Sequence, residues 1–274
     1  MFARYLAWGM LSLMLPSNGL LASSESREAV TRLRQQLGIT VPDDGSWQYA
    51  DANVRILLDH KQYRLALEEC DEQLARSASA RPPTSTGMLS ALQNAITALL
   101  GGGDLSTART WLKAAETKYG GIQDILPSTL SVAGSPKVSI GTLFRMKVQC
   151  AAMPRVSAGL GAPLEGAKLL DAARVSWAKA RQAGAIIAND RAVAAYLEQV
   201  LLPMSAADLY EQGRDYASAA LRYRQASRGF RSRKWAKEIG PFLMPGDIRQ
   251  IRLLDAKASQ CAAKAKLRAK SRTD

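Results

Sequence analysis

Histidine is almost missing from this chain: His60 is the only one in 274 residues. That excludes a metal cluster built on imidazoles and leaves a single side chain for any Ser-His-Asp arrangement. His60 stands in Asp59-His60-Lys61, between two helical patterns, where a solvated turn residue is expected. HExxH, CxxC and GxSxG are absent as well, so zinc-peptidase, dithiol and nucleophile-elbow chemistry have no motif. Gly101-Gly-Gly103-Asp104 has neither a following Gly-Lys-Ser/Thr nor a preceding strand, and reads as a helix-ending turn, not a phosphate cradle. Aromatic residues make up only 6% of the chain, and no convincing stretch alternates apolar with polar residues, so no strand is expected. Glu68-Glu69 and Asp71-Glu72 are the densest carboxylates. They read as the solvated side of a helix, although paired acids far apart in a chain would leave no local signature. No catalytic, cofactor-binding or metal-ligating residue is expected.

What is present is helical. The chain is 47% hydrophobic, enough for one or two domains with a sizeable core. Its apolar residues recur at steps of three and four, which points to an all-α fold. Helices are expected over 25–37, 47–58, 63–77, 88–100, 106–119, 138–152 and 164–183, with loops at 78–87 and 153–163. Asn189 or Asp190 would cap a helix running to 201, and Pro203 would start or kink the next. Asp247 would cap a last helix with Ile248, Ile251 and Leu254 on its buried face.

Residues 1–22 have the layout of a secretory signal peptide: a short basic start at Arg4, an apolar run over 5–15, then Pro16 and small residues at Ser17, Gly19, Ala22 and Ser23. The run is shorter than the roughly 20 residues a membrane-spanning helix needs, and no later segment approaches that length. Leu20-Leu-Ala-Ser23 is similar to a bacterial lipoprotein signal, but Ser23 stands where a lipidated Cys would be. The expected location is therefore periplasmic or extracellular, without a lipid anchor. Export permits disulfides, and Cys70, Cys150 and Cys261 are an odd set. Each lies in a helical pattern among apolar neighbours, so buried free thiols are expected, with a Cys150–Cys261 bridge as the alternative.

The net charge of +13 is uneven. Residues 214–274 hold 16 Lys or Arg against 5 Asp or Glu, while residues 23–213 hold 20 against 19. Such asymmetry suits an anionic partner: an envelope polymer, an acidic lipid surface or an acidic protein face. Export disfavours nucleic acid. Arg228, Arg231, Arg233, Lys234 and Lys237 form the candidate anion-binding cluster, interleaved with Phe230 and Trp235. Those two aromatics suit either the core or stacking on a ligand. The cations between 264 and 272 equally suit a solubilising helix end.

Ala207, Tyr210, Ala219, Tyr223 and Ala226 bracket a Gly-Arg-Asp-Tyr turn, and the same steps recur at Val54, Leu57, Ala66, Cys70 and Gln73, and at Ile96, Leu99, Ala108, Leu112 and Ala115. Ala173, Trp177 and Ala180 repeat the second-helix spacing. This pattern resembles the tetratricopeptide repeat, with Val54, Ile96 and Gln73 departing from the small residues usual there. The resemblance implies antiparallel helical hairpins stacked as a short solenoid. It also implies a binding scaffold, with a protein or peptide lying along the first helix of each pair. Asp51, Arg55, Asp59, Gln93, Thr97, Asp208, Glu211 and Gln212 are then the candidate groove residues, a polar and somewhat acidic set suited to a basic peptide. Domains are expected at 23–119 and 137–274, joined by a Gly-, Pro- and Ser-rich linker over 120–136, with the final basic helix capping the stack. A second, shorter resemblance runs through Val30-Thr-Arg-Leu33, Leu37-Gly38, Asp44-Gly45-Ser-Trp47 and Val54, which is similar to small peptidoglycan-binding modules and implies glycan binding.

Overall fold

The computed structural model describes residues 23–123, 125–127, 137–184, 191–232 and 245–271. The leader expected at 1–22 and the cap expected at Asn189 or Asp190 lie outside the described residues. Within them the fold is all-α except for one short ribbon. The helices are α1 (Ser24–Gln36), α2 (Trp47–Asp59), α3 (Tyr63–Ser79), α4 (Ser85–Gly102), α5 (Leu105–Tyr119), α6 (Ile140–Lys147), α7 (Met153–Gly159), α8 (Pro163–Gln182), α9 (Arg191–Tyr196), α10 (Leu202–Gln212), α11 (Tyr216–Ser232) and α12 (Pro245–Lys270). A π turn over Val148–Ala152 joins α6 to α7, and another over Leu197–Leu201 joins α9 to α10, so these segments merge into ten rods.

Both π turns come just before a proline, Pro154 or Pro203. Proline has no N–H to donate, and its ring crowds the carbonyl four residues back. A wider turn at that place absorbs the mismatch without ending the helix. The loop expected at 153–163 is thereby corrected. Residues 153–159 are helical, with only 160–162 as a turn, and Pro203 stands in the first turn of α10, where the rod is widened and not broken.

Three hairpins close by the same turn. After α2, Gln62 N–H donates to Leu57 O and Lys61 N–H to Leu58 O; after α7, Ala162 donates to Ser157 and Gly161 to Ala158; after α10, Asp215 donates to Tyr210 and Arg214 to Glu211. The middle residue has a positive φ each time, at Lys61 (56°), Gly161 (85°) and Arg214 (61°). This is the Schellman closure, which satisfies the last carbonyls of a helix. Between α4 and α5, Gly103 takes the left-handed conformation alone, and Asp104 caps α5 through the Ser106 and Thr107 N–H groups.

Counted from the turn, the second helices share a register. Ala66, Ala108, Gly166 and Ala219 donate to the carbonyls of Gln62, Asp104, Ala162 and Asp215, and all four are buried. Cys70, Leu112, Leu170 and Tyr223 follow four residues on, then Gln73, Ala115, Ala173 and Ala226, again all buried. The small residue lets the partner helix approach and the larger one fills the space beside it. In α8 the frame is Gly166, Leu170 and Ala173, not the expected Ala173, Trp177 and Ala180. Trp177 belongs instead to a satellite cluster with Met146, Ala173 and Leu197.

Each rod packs on its sequence neighbours, and among the described residues no rod packs appreciably beyond the second one along. The last, α12, lies on α11 through Ile251, Leu254, Ala258 and Cys261, whereas Ile248 is exposed, contrary to expectation. The start of the expected linker is clasped to the residues that follow it. β1 (Ile125–Pro127) pairs antiparallel with β2 (Lys137–Ser139), Gly141 N–H donates to Ile122 O, and Arg145 Nη2 donates to Gly120 O. Cys70, Cys150 and Cys261 are all free thiols. No helix among the described residues is long and apolar enough to cross a membrane.

Candidate functional site

The expected groove residues separate into two groups. Arg55, Asp59, Gln93, Thr97 and Gln212 are exposed. Asp51 is not: it is 8% exposed and forms the centre of a polar junction of α2, α3 and α4. Its Oδ1 accepts from Gln73 Nε2 (2.9 Å), Ser90 Oγ (2.6 Å) and Asn94 Nδ2 (2.9 Å), and its Oδ2 faces Arg55 Nε at 2.8 Å. A buried carboxylate needs such partners, since desolvation without them is costly. Gln73, which departs from a small residue in the repeat pattern, is fully buried because it donates into this junction.

Asp208 and Glu211 are occupied from within the chain. Lys257 Nζ of α12 donates to Asp208 Oδ1 at 2.8 Å, and Lys264 Nζ donates to Glu211 Oε1 at 3.2 Å. The Tyr223 hydroxyl lies 2.6 Å from Asp208 Oδ1 and 3.0 Å from Glu211 Oε2, with its ring buried below. Lys257 also sits 5.0 Å over the Tyr223 ring centre. Burial, and hydrogen bonding to the two acids, push the Tyr223 phenol well above its ordinary range. The acidic patch expected to face a basic peptide therefore faces the chain's own basic end.

The basic cluster divides too. Arg231 pairs with Asp255 of α12, and Arg228 is exposed. Phe230 is buried in the core, 6.3 Å edge-to-face from Tyr196. Arg233, Lys234, Trp235 and Lys237 lie outside the described residues.

No family model, curated protein or solved structure matches the chain. Its own geometry carries the assignment.

Sequence reasoning missed two places. The first is α3, where the acids expected to be solvated are partly inside. Glu69 is 3% exposed, between Ser26 Oγ (3.1 Å) and Asn53 Nδ2 (3.4 Å), and burial raises its pKa. Burial pushes Asp71 up to about 7, with the Lys118 ammonium partly opposing. Neighbouring Glu72 binds Arg76 at 2.8 Å, and Arg76 also holds Asp43 by two bonds of 2.6 and 2.9 Å. His60 is an exposed turn residue, as expected, with Nδ1 2.8 Å from Ile56 O.

The second place is a cleft of about 310 Å³ where α8, the second π turn and α11 meet. Arg174, Glu198, Gln199, Gln225, Arg228 and Ser232 line it. Gly229 forms its floor, since a Cβ there would stand 2.2 Å from the Gln199 carbonyl oxygen. A second cleft of about 540 Å³ shares Arg174 and adds Lys179 and Arg222. In the sequence Arg174 and Lys179 look like the solvated side of an Ala-rich helix, and only the meeting of α8 with α11 gathers them with Arg228.

Proposed function

We propose that this chain is an exported helical-repeat scaffold of the tetratricopeptide-like kind, and that it binds a protein or peptide along the exposed sides of its first helices. In this reading the four hairpins form a short solenoid and α12 covers its last face, because a terminal repeat has no neighbour to bury it. The observation that carries the reading is the repeated hairpin: one turn geometry in three of the four, and one buried register after the turn in all four, with each hairpin touching only near neighbours. Arg55 and Arg155 hold the same station, two residues before Leu57 and Ser157, and both are exposed. Together with Asp59, Gln93 and Thr97 they offer a mixed-charge polar surface, whose contacts with a ligand would be modest and screened by salt.

Photo-crosslinking residues placed at Gln93 and Thr97 test this in the native host. The same single polypeptide should be captured from both positions and not from exposed Lys113 on α5. Absence of an adduct, or equal capture from Lys113, removes the reading. Amino-terminal sequencing of the same material should find a start between residues 18 and 24 if the leader is cleaved.

A further inference from the structure

We propose that the cleft between α8 and α11 binds a phosphate-bearing ligand, held between Arg174 and Arg228. The inference does not depend on the scaffold reading. A guanidinium keeps its charge at any physiological pH and needs an oxyanion or water for its N–H groups. Arg174 Nε is buried away from solvent without a hydrogen-bond partner. Neither Arg174 nor Arg228 has an ion-pair partner among the described residues.

The neighbouring acids are partly taken, although Asp171 Oδ1, on the same helix as Arg174, is itself buried without a hydrogen-bond partner. Arg181 donates to Glu198 Oε2 from Nε (2.9 Å) and from Nη2 (2.7 Å). Asp171 Oδ2 accepts from Arg222 at 2.7 and 3.2 Å and from the Tyr210 hydroxyl at 2.9 Å. Positive charge therefore remains on the cleft wall with no counterion of its own. Gln225 gives its carbonyl oxygen to Arg222 Nη1 (2.7 Å), which leaves its amide N–H groups as neutral donors beside the two cations.

The shape is built, not incidental. Gly229 brings α11 against the widened turn at Gln199, which only a residue without a side chain allows. Pro203, also on the wall, is the reason that turn is wide. The volume is at the lower end of the roughly 300–1,000 Å³ typical of small-ligand sites. Two guanidiniums from different helices suit a group with several acceptor oxygens, which a phosphate supplies and a single carboxylate does not. The phosphate can come from a free solute or from a lipid headgroup.

Titration calorimetry of the full chain with inorganic pyrophosphate, and co-sedimentation with phosphatidylglycerol vesicles, separate these sources. Saturable binding of either probe is expected, weakened about tenfold or more by Arg174→Gln and by Arg228→Gln. Arg224→Gln, on an exposed face of α11 outside the cleft, should leave it unchanged. Binding of pyrophosphate assigns a free phosphate ligand, and binding of vesicles alone assigns a headgroup. Failure of both probes to bind overturns the proposal, as does an equal loss with Arg224→Gln. A third result also overturns it: binding untouched by either cleft variant while Arg174→Gln lowers the melting temperature. Arg174 would then serve as an ion-pair partner for Asp171 on its own helix.

Discussion

Asp51 and Asp71 are two aspartates drawn into helix packing with opposite outcomes. Asp51 collects three hydrogen-bond donors and an arginine, whereas Asp71 is desolvated, with the Lys118 ammonium and the Trp111 indole compensating in part. A carboxyl whose pKa is raised in the folded state keeps its proton there after the unfolded chain has lost its own. Stability contributed by such a group is greatest below the unfolded value, falls as pH climbs towards about 7, and is flat beyond. Asp71→Asn should remove that fall. Its gain over the wild type, read from urea denaturation, should grow by about 1–3 kcal/mol between about pH 5 and about pH 8. A constant difference across that range would show that Asp71 is not the group responsible. Neither fate was legible in the sequence. In a helix wheel both aspartates sit at the edge of the apolar stripe, and only the arrival of α4 over α2, or α5 beside α3, decides which edge is covered.

At the scale of elements, more could be read in advance. The helix-ending turn at Gly101–Asp104 and the alternation of Ala with larger residues act through local geometry, so they are visible in single segments. The π turns and the frame of α8 were not visible. Each depends on where a second backbone lies. Gly166 shows this best: a Cβ there would meet the Pro154 carbonyl oxygen at 2.7 Å and Leu209 Cδ1 at 2.9 Å. Its counterparts Ala66, Ala108 and Ala219 carry the methyl group without difficulty. Gly166→Ala should therefore cost about 1–3 kcal/mol by overpacking against backbone. Gly102→Ala, in α4 with its nearest atom 4.0 Å away, should instead gain about 0.5–1 kcal/mol. Chemical denaturation of the two variants side by side reads both signs, and a loss at both positions would mean that chain entropy plays no part.

The whole molecule is assembled by neighbours, and this sets how damage should spread. Leu254 of α12 is 1% exposed within the cluster that also holds Tyr223 and Ala226. Leu254→Ala should cost about 2–5 kcal/mol. Hydrogen exchange should quicken over 191–232 and 245–271 and stay unchanged over 47–102, because no appreciable packing links those regions directly. Uniform acceleration along the chain would show one cooperative body. Charge follows the same neighbour logic. Three cations of the last quarter are engaged within the chain: Arg231 by Asp255, Lys257 by Asp208 and Lys264 by Glu211. Composition alone counts every lysine as available, which is why a basic end and an acidic groove looked like two surfaces where the fold makes them one contact.

Pro127 and Lys137 stand opposite each other in the small ribbon, so the polypeptide departs and comes home through a single doorway between α5 and α6. Foreign sequence could be spliced between these two paired ends. It could be lengthened at little entropic expense, without re-threading any of the ten rods.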